Sequence, residues 1–433
     1  MRRVVITGAG VVSPFGCTID AFWDGLISGR STTKSLSELT SWHLFEGCLE
    51  QFDSKVIAEV EQFDPEAHGL PPQVCKQDRY VQFAVAAALA ALCDSGLDHP
   101  KDDWQDRFGI ALATSIGPAR TTEAVFCATT ARGTAPVDSA QIPERFYLDC
   151  IFNTPSILLA QMLDLHGPCL TLSTACASGV DIVGHAYECI LDNDADIMLT
   201  GASEAPITPA RFGGANAIQC VTSQYNDEPA QASRPFDVGH SGFVLGEGAG
   251  FVLLEERERA LARGATIYGE IVGFGRTCNA KDMVSLEPAW ASNLSRAITE
   301  ALCQAQLSPV DIHYIQAHGS STAQNDTFET LAFKETLGDA VYHIPISANK
   351  SMLGHPLGAA GVFGVIATAL SFLHGYIHPT INLEELDPQC DLDYVPDTPR
   401  PWNATNAMVI GNGFSGSHAA LILRRDQRSH TNF

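Results

Sequence analysis

The stretch STACASG, Ser173–Gly179, sets a lone cysteine among very small residues, where an apolar β-type run gives way to an apolar helical one. Before it, PCLTLSTA (168–175) reads as a short strand. After it, CASGVDIVGHAYECILD (176–192) carries apolar residues at helical spacing and is expected to open a helix at the cysteine itself. A free cysteine is most often an inert buried spacer. Position argues otherwise for Cys176, because a thiol in the first turn of a helix faces unpaired N–H groups and the positive end of the helix dipole, and both favour thiolate. The small neighbours Ala175, Ala177, Ser178 and Gly179 leave room for a substrate and for backbone N–H groups aimed at a developing oxyanion. Cys176 is therefore a candidate nucleophile.

Working outward, strand-like and helix-like segments alternate. RRVVITGAG (2–10), RFGIALATSIG (107–117) and ADIMLTGASE (195–204) read as strands, QFAVAAALAALCDSG (82–96) as a helix capped by Gly96, and ERERALARG (256–264) as a helix ending at Gly264. The pattern then restarts. TIYGEIVGFG (266–275) echoes the first strand, and further strands and helices lead to GHPLGAAGVFGVIATALSFLHG (354–375), a long buried helix, and to two closing strands around a glycine turn in AMVIGNGFSGSHAALILRR (407–425). Near-continuous apolar strands between helices imply an α/β protein with a mostly parallel sheet covered on both faces. The repetition implies two such halves, 1–260 and 261–433, packed together. GAGVVS (8–13) lacks the third glycine of a dinucleotide fingerprint and reads as a plain glycine turn after the first strand. The irregular stretches Lys34–Pro72 and Phe126–Phe146 are long enough to carry substrate or partner contacts.

The chain of 433 residues is 45% hydrophobic and 18% charged, a composition that buries a large core. A formal net charge of −24 argues against nucleic acid, whose binding needs Lys and Arg on phosphates. Thirteen scattered cysteines without a CxxC pair fit free thiols in a reducing cytoplasm. The apolar stretch before the first glycine turn is too short for a signal-peptide core. The longest apolar run, 358–373, contains three glycines and falls short of a bilayer span.

Two histidines sit in matching strand-to-loop positions of the second half: His318 in QAHGSST (316–322) and His355 in NKSMLGHPLGAAG (349–361), five residues after Lys350. Together they suggest a shared cleft. Cys176, His318 and His355 have the residue types of a zinc site, but none has a short-range ligand partner, so no metal is expected. Asp326 and Glu329 in NDTFE have the spacing of a helix capping box.

STACASG, AHGSST, NKSMLGHPLGAAG and GNGFSGSHAALIL, in this order and at these separations, resemble the β-ketoacyl-acyl-carrier-protein synthases of the elongating type, type II polyketide ketosynthases included. The resemblance runs from the first strand to the last. It implies a thiolase fold, five-layered α/β/α/β/α with two pseudo-symmetric halves, and a homodimer or a heterodimer with a related subunit. It implies decarboxylative Claisen condensation of malonyl-carrier protein with a Cys-bound acyl chain, in fatty acid or polyketide/aryl-polyene biosynthesis, with no cofactor or metal. Cys176 falls where the family keeps its nucleophile, His318 and His355 on the histidine pair, and Lys350 on the lysine that orders the site. The amides of Cys176 and Phe414 fall on the oxyanion hole, with the Phe414 ring as gate. Ile116 falls on the acyl pocket, Ser320 and Thr322 near the pantetheine arm of an acyl carrier protein. Thiolases use a second cysteine near the C-terminus, absent here; initiating synthases replace one histidine by asparagine; chain-length-factor partners usually lack the cysteine. An acyltransferase or hydrolase on the same fold, and a subunit of a heterodimeric ketosynthase, remain as other readings.

The chain departs from the family pattern in several places. It ends in GFSGSH (413–418), with Ser415 for a glycine beside the gate, which is expected to stiffen it. Gly364 stands where many relatives place an acid toward the lysine, leaving Glu329 as the carboxylate for Lys350. HSGF (240–243) replaces a common RDGF. Lys76, Arg79 and Arg211 remain for docking an acidic carrier, while GTAPVDSAQIP (133–143) stands where relatives often carry a basic pair.

Overall fold

The computed structural model describes residues 2–97, 104–280, 289–414 and 416–426. Ten strands share one sheet: β1 (Val4–Val12), β2 (Phe108–Ala113), β3 (Cys169–Leu172), β4 (Ile197–Glu204), β5 (Gly248–Glu256), β6 (Gly269–Cys278), β7 (Ile315–Gln316), β8 (Ile346–Ser347), β9 (Asn406–Asn412) and β10 (Ser417–Arg424). The helices that matter for the site are α1 (Arg79–Ser95), α2 (Ala119–Thr129), α3 (Ser178–Leu191), α4 (Ala289–Ala305), α5 (Ala323–Leu337) and α6 (Ala360–His374).

The strand order is β8-β7-β9-β10-β6-β1-β5-β4-β2-β3. Cut between β6 and β1, it gives two five-stranded units with one topology. In each, the first strand pairs antiparallel with the last, the last antiparallel with the fourth, and the fourth, second and third run parallel. The internal repeat is thus real, and the sheet is mixed rather than mostly parallel. The continuous apolar runs report burial on both faces, which says nothing of direction; β9 and β10, joined by a tight hairpin, can only be antiparallel. α1 covers the outer face of the first unit, α4 and α5 that of the second. α3 and α6 pack on each other between the units and touch strands of both, completing the five layers of the thiolase fold.

The glycines first read as a turn lie inside β1 instead. A Cβ on Gly8 would stand 2.4 Å from the Ala91 carbonyl oxygen, and one on Gly10 2.2 Å from that of Ala87, so they let the alanine face of α1 lie directly on the strand. The second half repeats the device, with Gly273 and Gly275 of β6 facing the carbonyls of Ala301 and Ala297 on α4 at 2.2 and 2.1 Å. Gly96 caps α1 in a left-handed conformation as expected. The window Leu357–His374 is long and apolar enough to cross a membrane by length and composition, but 83% of it is buried inside the protein as the central helix. The Phe126 end of the second irregular stretch is helical, because α2 runs on to Thr129.

α3 and α6 meet through glycine. A Cβ on Gly179 would lie 2.6 Å from the Gly358 carbonyl oxygen and 2.7 Å from the Val362 nitrogen, and one on Gly361 2.5 Å from the Val180 nitrogen. Gly179→Ala should therefore force the helices apart and destabilise the protein by about 1–3 kcal/mol in urea unfolding. The control is Gly214→Ala, on a helix with nothing within 4 Å. That change should leave stability unchanged or raise it by up to about 1 kcal/mol.

Candidate active site

The turn that carries Cys176 is tighter than a helix start. α3 begins at Ser178, so the cysteine precedes the helix by two residues, at the apex of a turn held by Ala177 N–H to the Thr174 carbonyl at 3.2 Å and Ser178 N–H to that of Ala175 at 3.1 Å. Ala175 takes the left-handed conformation at φ 50°, an unfavourable state for a residue with a Cβ. Three hydroxyl contacts hold it. The Ser178 hydroxyl donates to the Ala175 carbonyl at 2.5 Å and accepts from Thr174 N–H at 2.8 Å, and the Ser115 hydroxyl donates to the Ala175 carbonyl at 2.6 Å.

The second half supplies the other wall. His318 follows β7, His355 precedes α6, and Phe414 lies in the β9–β10 hairpin. Cys176, His318, His355, Phe243, Asn412 and Phe414 line one cavity, with Ser320, Asn325 and Trp290 completing its rim. The two imidazoles stand 5.2 Å apart, nearly perpendicular at 81°. The Phe243 ring meets His355 edge-on at 5.1 Å and Phe414 at 6.2 Å. The void among these side chains is about 20 Å³, room for about one water and not for an acyl chain.

The site is deeply buried, and burial sets its electrostatics. It pushes the Cys176 thiol up to about 12, against the positive charge of Lys350 and an N–H bond from the Phe414 backbone to the sulfur. The helix-terminus argument for a resting thiolate is thus outweighed, because desolvation of a buried anion exceeds a partial charge two residues away. Burial, then the charge of Lys350, holds both His318 and His355 well below 6.5, so both rings are neutral. His318 Nδ1 accepts from Asn412 N–H at 3.3 Å, which puts its proton on Nε2. Among the described residues, buried His355 Nδ1 has no partner.

Lys350 donates to the carbonyl of His318, while Glu329 accepts from the amides of His318 at 2.7 Å and Gly319 at 2.9 Å. Burial lowers the ammonium of Lys350 and raises the carboxyl of Glu329, and each charge favours the other. The capping-box reading of Asp326 and Glu329 does not hold. α5 is entered from Thr322, and both carboxylates bind the loop before it instead, Asp326 through Ser320 N–H at 3.0 Å. Thr322 stands outside the cavity lining, joined to the Ser320 hydroxyl at 2.8 Å. Ile116 is outside it too, with its N–H on Glu204. Gly364 sits against Gln316 and Val409. Ser415 lies outside the described residues.

Glu204, at the end of β4, was not singled out by sequence. It is fully buried, is raised by burial to about 7, and accepts from the amides of Ser115 and Ile116. It thereby fixes the loop whose serine holds Ala175. Its one signal was an acid closing an otherwise apolar strand. His418, the departure in the last motif, bridges Asn412 and Asn279 at 3.0 and 2.8 Å behind the cavity. Among the described residues no three His, Cys, Asp or Glu side chains are placed to hold a metal ion.

The family models for the N-terminal domain of β-ketoacyl synthase and for its C-terminal domain match residues 1–260 and 268–384. The chain belongs to the β-ketoacyl synthase family. It is 41% identical to the ketoacyl synthase alpha subunit of the tetracenomycin polyketide synthase of Streptomyces glaucescens, over 99% of each chain. It is 38% identical to the 3-oxoacyl-[acyl-carrier-protein] synthase 2 of Coxiella burnetii, over 98% of this chain and 99% of that one. A type II polyketide ketosynthase solved with its acyl carrier protein and bound to a hexaketide superimposes with a TM-score of 0.90 at 37% identity, covering 98% of this chain and 100% of that one. This synthase is accordingly an enzyme of the acyltransferase class, a ketosynthase that joins acyl units by condensation.

One expected docking cation is not available in this synthase. The Arg79 side chain is 16% exposed and forks onto buried Glu247 at 2.8 Å, with a second bond to the Val60 carbonyl. Lys76 and Arg211 are exposed, and so are Arg132 and Arg145, which flank the loop 133–143, whose one charged residue is Asp138. Lys350→Met should slow acylation or alkylation of Cys176 by on the order of tenfold or more, since losing its charge raises the thiol further. Mass spectrometry of the Cys176 peptide after timed labelling at pH 7.5 measures this.

Proposed function

We propose that the protein is an elongating ketosynthase in which Cys176 is the acyl-accepting nucleophile and His318 and His355 stabilise decarboxylation of malonyl bound to a carrier protein. The observation that carries this reading is the single cavity where a sulfur from the first half faces two neutral imidazoles from the second. In the first step the Cys176 sulfur adds to the acyl thioester carbonyl, giving up its proton, and the pantetheine thiol leaves with a proton. The amides of Cys176 and Phe414 receive the oxyanion. The Phe414 N–H already points to the sulfur, which supports this role.

In the second step the carboxylate of malonyl leaves as CO2, and its bonding electrons pass into an enolate. A neutral imidazole N–H suits the enolate oxygen, and His318 carries its proton on the nitrogen opposite the Asn412 contact. The enolate carbon bonds to the acyl carbon, and the Cys176 thiolate leaves. Lys350 and Glu329 fix the His318–Gly319 backbone. Entry of the thioester requires Phe414 to swing away, because the void beside Cys176 is too small for it. Ile116 is assigned to the acyl pocket beyond the turn, and Ser320 and Thr322 to the pantetheine arm.

The partner is an acyl carrier protein bearing pantetheine-linked acyl and malonyl groups, and the pathway type II polyketide or aryl-polyene synthesis rather than bulk fatty acid synthesis. The relatives named for polyketide synthases support that choice. A dimer through β3 is favoured, homomeric or with a related subunit. Among the described residues β3 pairs on one edge only, and Phe126, Val137, Tyr147, Leu148, Phe152 and Ile157, in the stretch that precedes it, lie exposed. The halves 1–260 and 261–433 serve as its two structural units. Thirteen unpaired cysteines suit the cytoplasm.

Intact-mass analysis with acyl- and malonyl-loaded carrier tests the assignment. Wild type should acquire the acyl mass and release a ketoacyl product, and Cys176→Ala should do neither. His318→Ala and His355→Ala should keep acylation and lose condensation by on the order of 100-fold or more. Acylation without malonyl-dependent product in wild type would instead favour an acyltransferase or hydrolase.

A further inference from the structure

His240 sits in the segment where the family pattern is broken, and its ring is placed unusually. The side chain is 3% exposed, with Nδ1 at 3.1 Å from Asp326 Oδ2 and Nε2 at 3.2 Å from Asp387 Oδ2. Both ring nitrogens face carboxylate oxygens, which only accept, so both bonds form only when both nitrogens carry protons. The ring lies between two elements that Lys334 of the same helix also joins, through Asp391 farther along the loop. Asp326 is on α5, and Asp387 is in the loop that follows residue 384.

Asp326 connects the ring to the active site. Its Oδ1 accepts from Ser320 N–H at 3.0 Å and from the Asn325 amide at 2.9 Å, both on the cavity wall, while its Oδ2 also accepts from Phe236 N–H at 3.0 Å. The segment of His240 reaches the same wall. Gly242 N–H donates to the Ser321 carbonyl at 2.9 Å, and Phe243 packs edge-on against His355. We propose that the His240 imidazolium is a positioning residue, an ionic brace between Asp326 and Asp387 that holds the Ser320 and Phe243 walls around His318 and His355, and that it makes condensation sensitive to alkaline pH. The inference rests on the functional reading above for what the cavity does, and on the geometry alone for the brace.

Burial works against the ring's charge, but the bond and charge of Asp326 and those of Asp387 outweigh it, leaving its pKa above 6.5. The other charged groups are accounted for. On its own segment Asp237 pairs with Arg234 at 2.7 Å, and Glu384 reaches Arg234 from the surface at 3.7 Å. Glu329 and Lys350 lie beyond Asp326 in the site, and buried Cys390 between the two aspartates is held neutral by burial. A pKa raised in the folded state gives stabilisation that is complete below the ordinary 6.5 and is lost as pH rises through the raised value. A neutral ring then leaves one carboxylate without its donor.

The test compares wild type with His240→Arg, a cation that does not titrate, and His240→Gln, which is never charged. From pH 6.5 to 9, wild-type condensation turnover should fall through a limb on the order of tenfold deep that is absent in both variants, the size of one lost charged hydrogen bond. Lys350 is present in all three, so only the difference between profiles is read. Beyond the limb that Lys350 gives to all three, His240→Gln should stay low and His240→Arg high at every pH. A purely structural role would shift melting temperature and leave the shape of the turnover profile common to all three, which would overturn the proposal. NMR of histidine-labelled protein gives a second readout, and a His240 ring titrating at or below 6.5 would also overturn it. Should no variant condense at all, the functional reading fails. The brace is then judged by the ring titration and by whether the melting advantage of wild type over His240→Gln shrinks as pH rises.

Discussion

The contact between α3 and α6 is the constraint on which the molecule turns. Two helices from opposite halves of the chain approach until backbone meets backbone, which Gly179, Gly358 and Gly361 permit and a methyl group would prevent. Cys176 lies three residues before Gly179, and His355 three before Gly358, so the same crossing that closes the core sets sulfur and imidazole on one void. The β9–β10 hairpin completes the arrangement. A Cβ on Gly413 would press to 2.7 Å on the Thr174 carbonyl oxygen, so the hairpin can lie on the nucleophile turn and bring the Phe414 amide to the sulfur. Glycines in three separated motifs thus serve one geometric end.

Burial then decides the chemistry. A thiol pushed up to about 12 and two neutral imidazoles describe a site that holds little charge at rest and is arranged for charge that appears during reaction. The charges it does hold are used on backbone. Lys350 takes the His318 carbonyl, Glu329 the amides of His318 and Gly319, Glu204 those of Ser115 and Ile116, and Asp326 that of Ser320. The loop of His318 and the loop of Ser115 that supports the Cys176 turn are each tied by buried ionic side chains, at a desolvation cost that is offset only while every bond is made.

The candidate site was legible because its residues are chemically conspicuous and stand in small-residue contexts. Cys176, His318, His355 and Phe414 meet in the cavity the motifs implied. What failed depended on partners distant in sequence. Arg79 looks like a surface cation until Glu247, 168 residues away, takes it inward. Asp326 and Glu329 have capping spacing, but the amides they satisfy belong to the preceding loop. Gly8 and Gly10 look like a turn until α1 lies on them, and the apolar strands could not announce that five of their nine pairings are antiparallel.

By itself, then, the amino-acid order determined the alternation of elements, the duplication, and which side chains are candidates for the chemistry, since periodicity and residue chemistry are local properties. Only tertiary structure decided the resting charge of those groups, which carboxylate serves which loop, and the double aspartate grip on His240. Desolvation and hydrogen-bond partnership depend on what the rest of the chain brings within a few ångströms, and no local pattern carries that information.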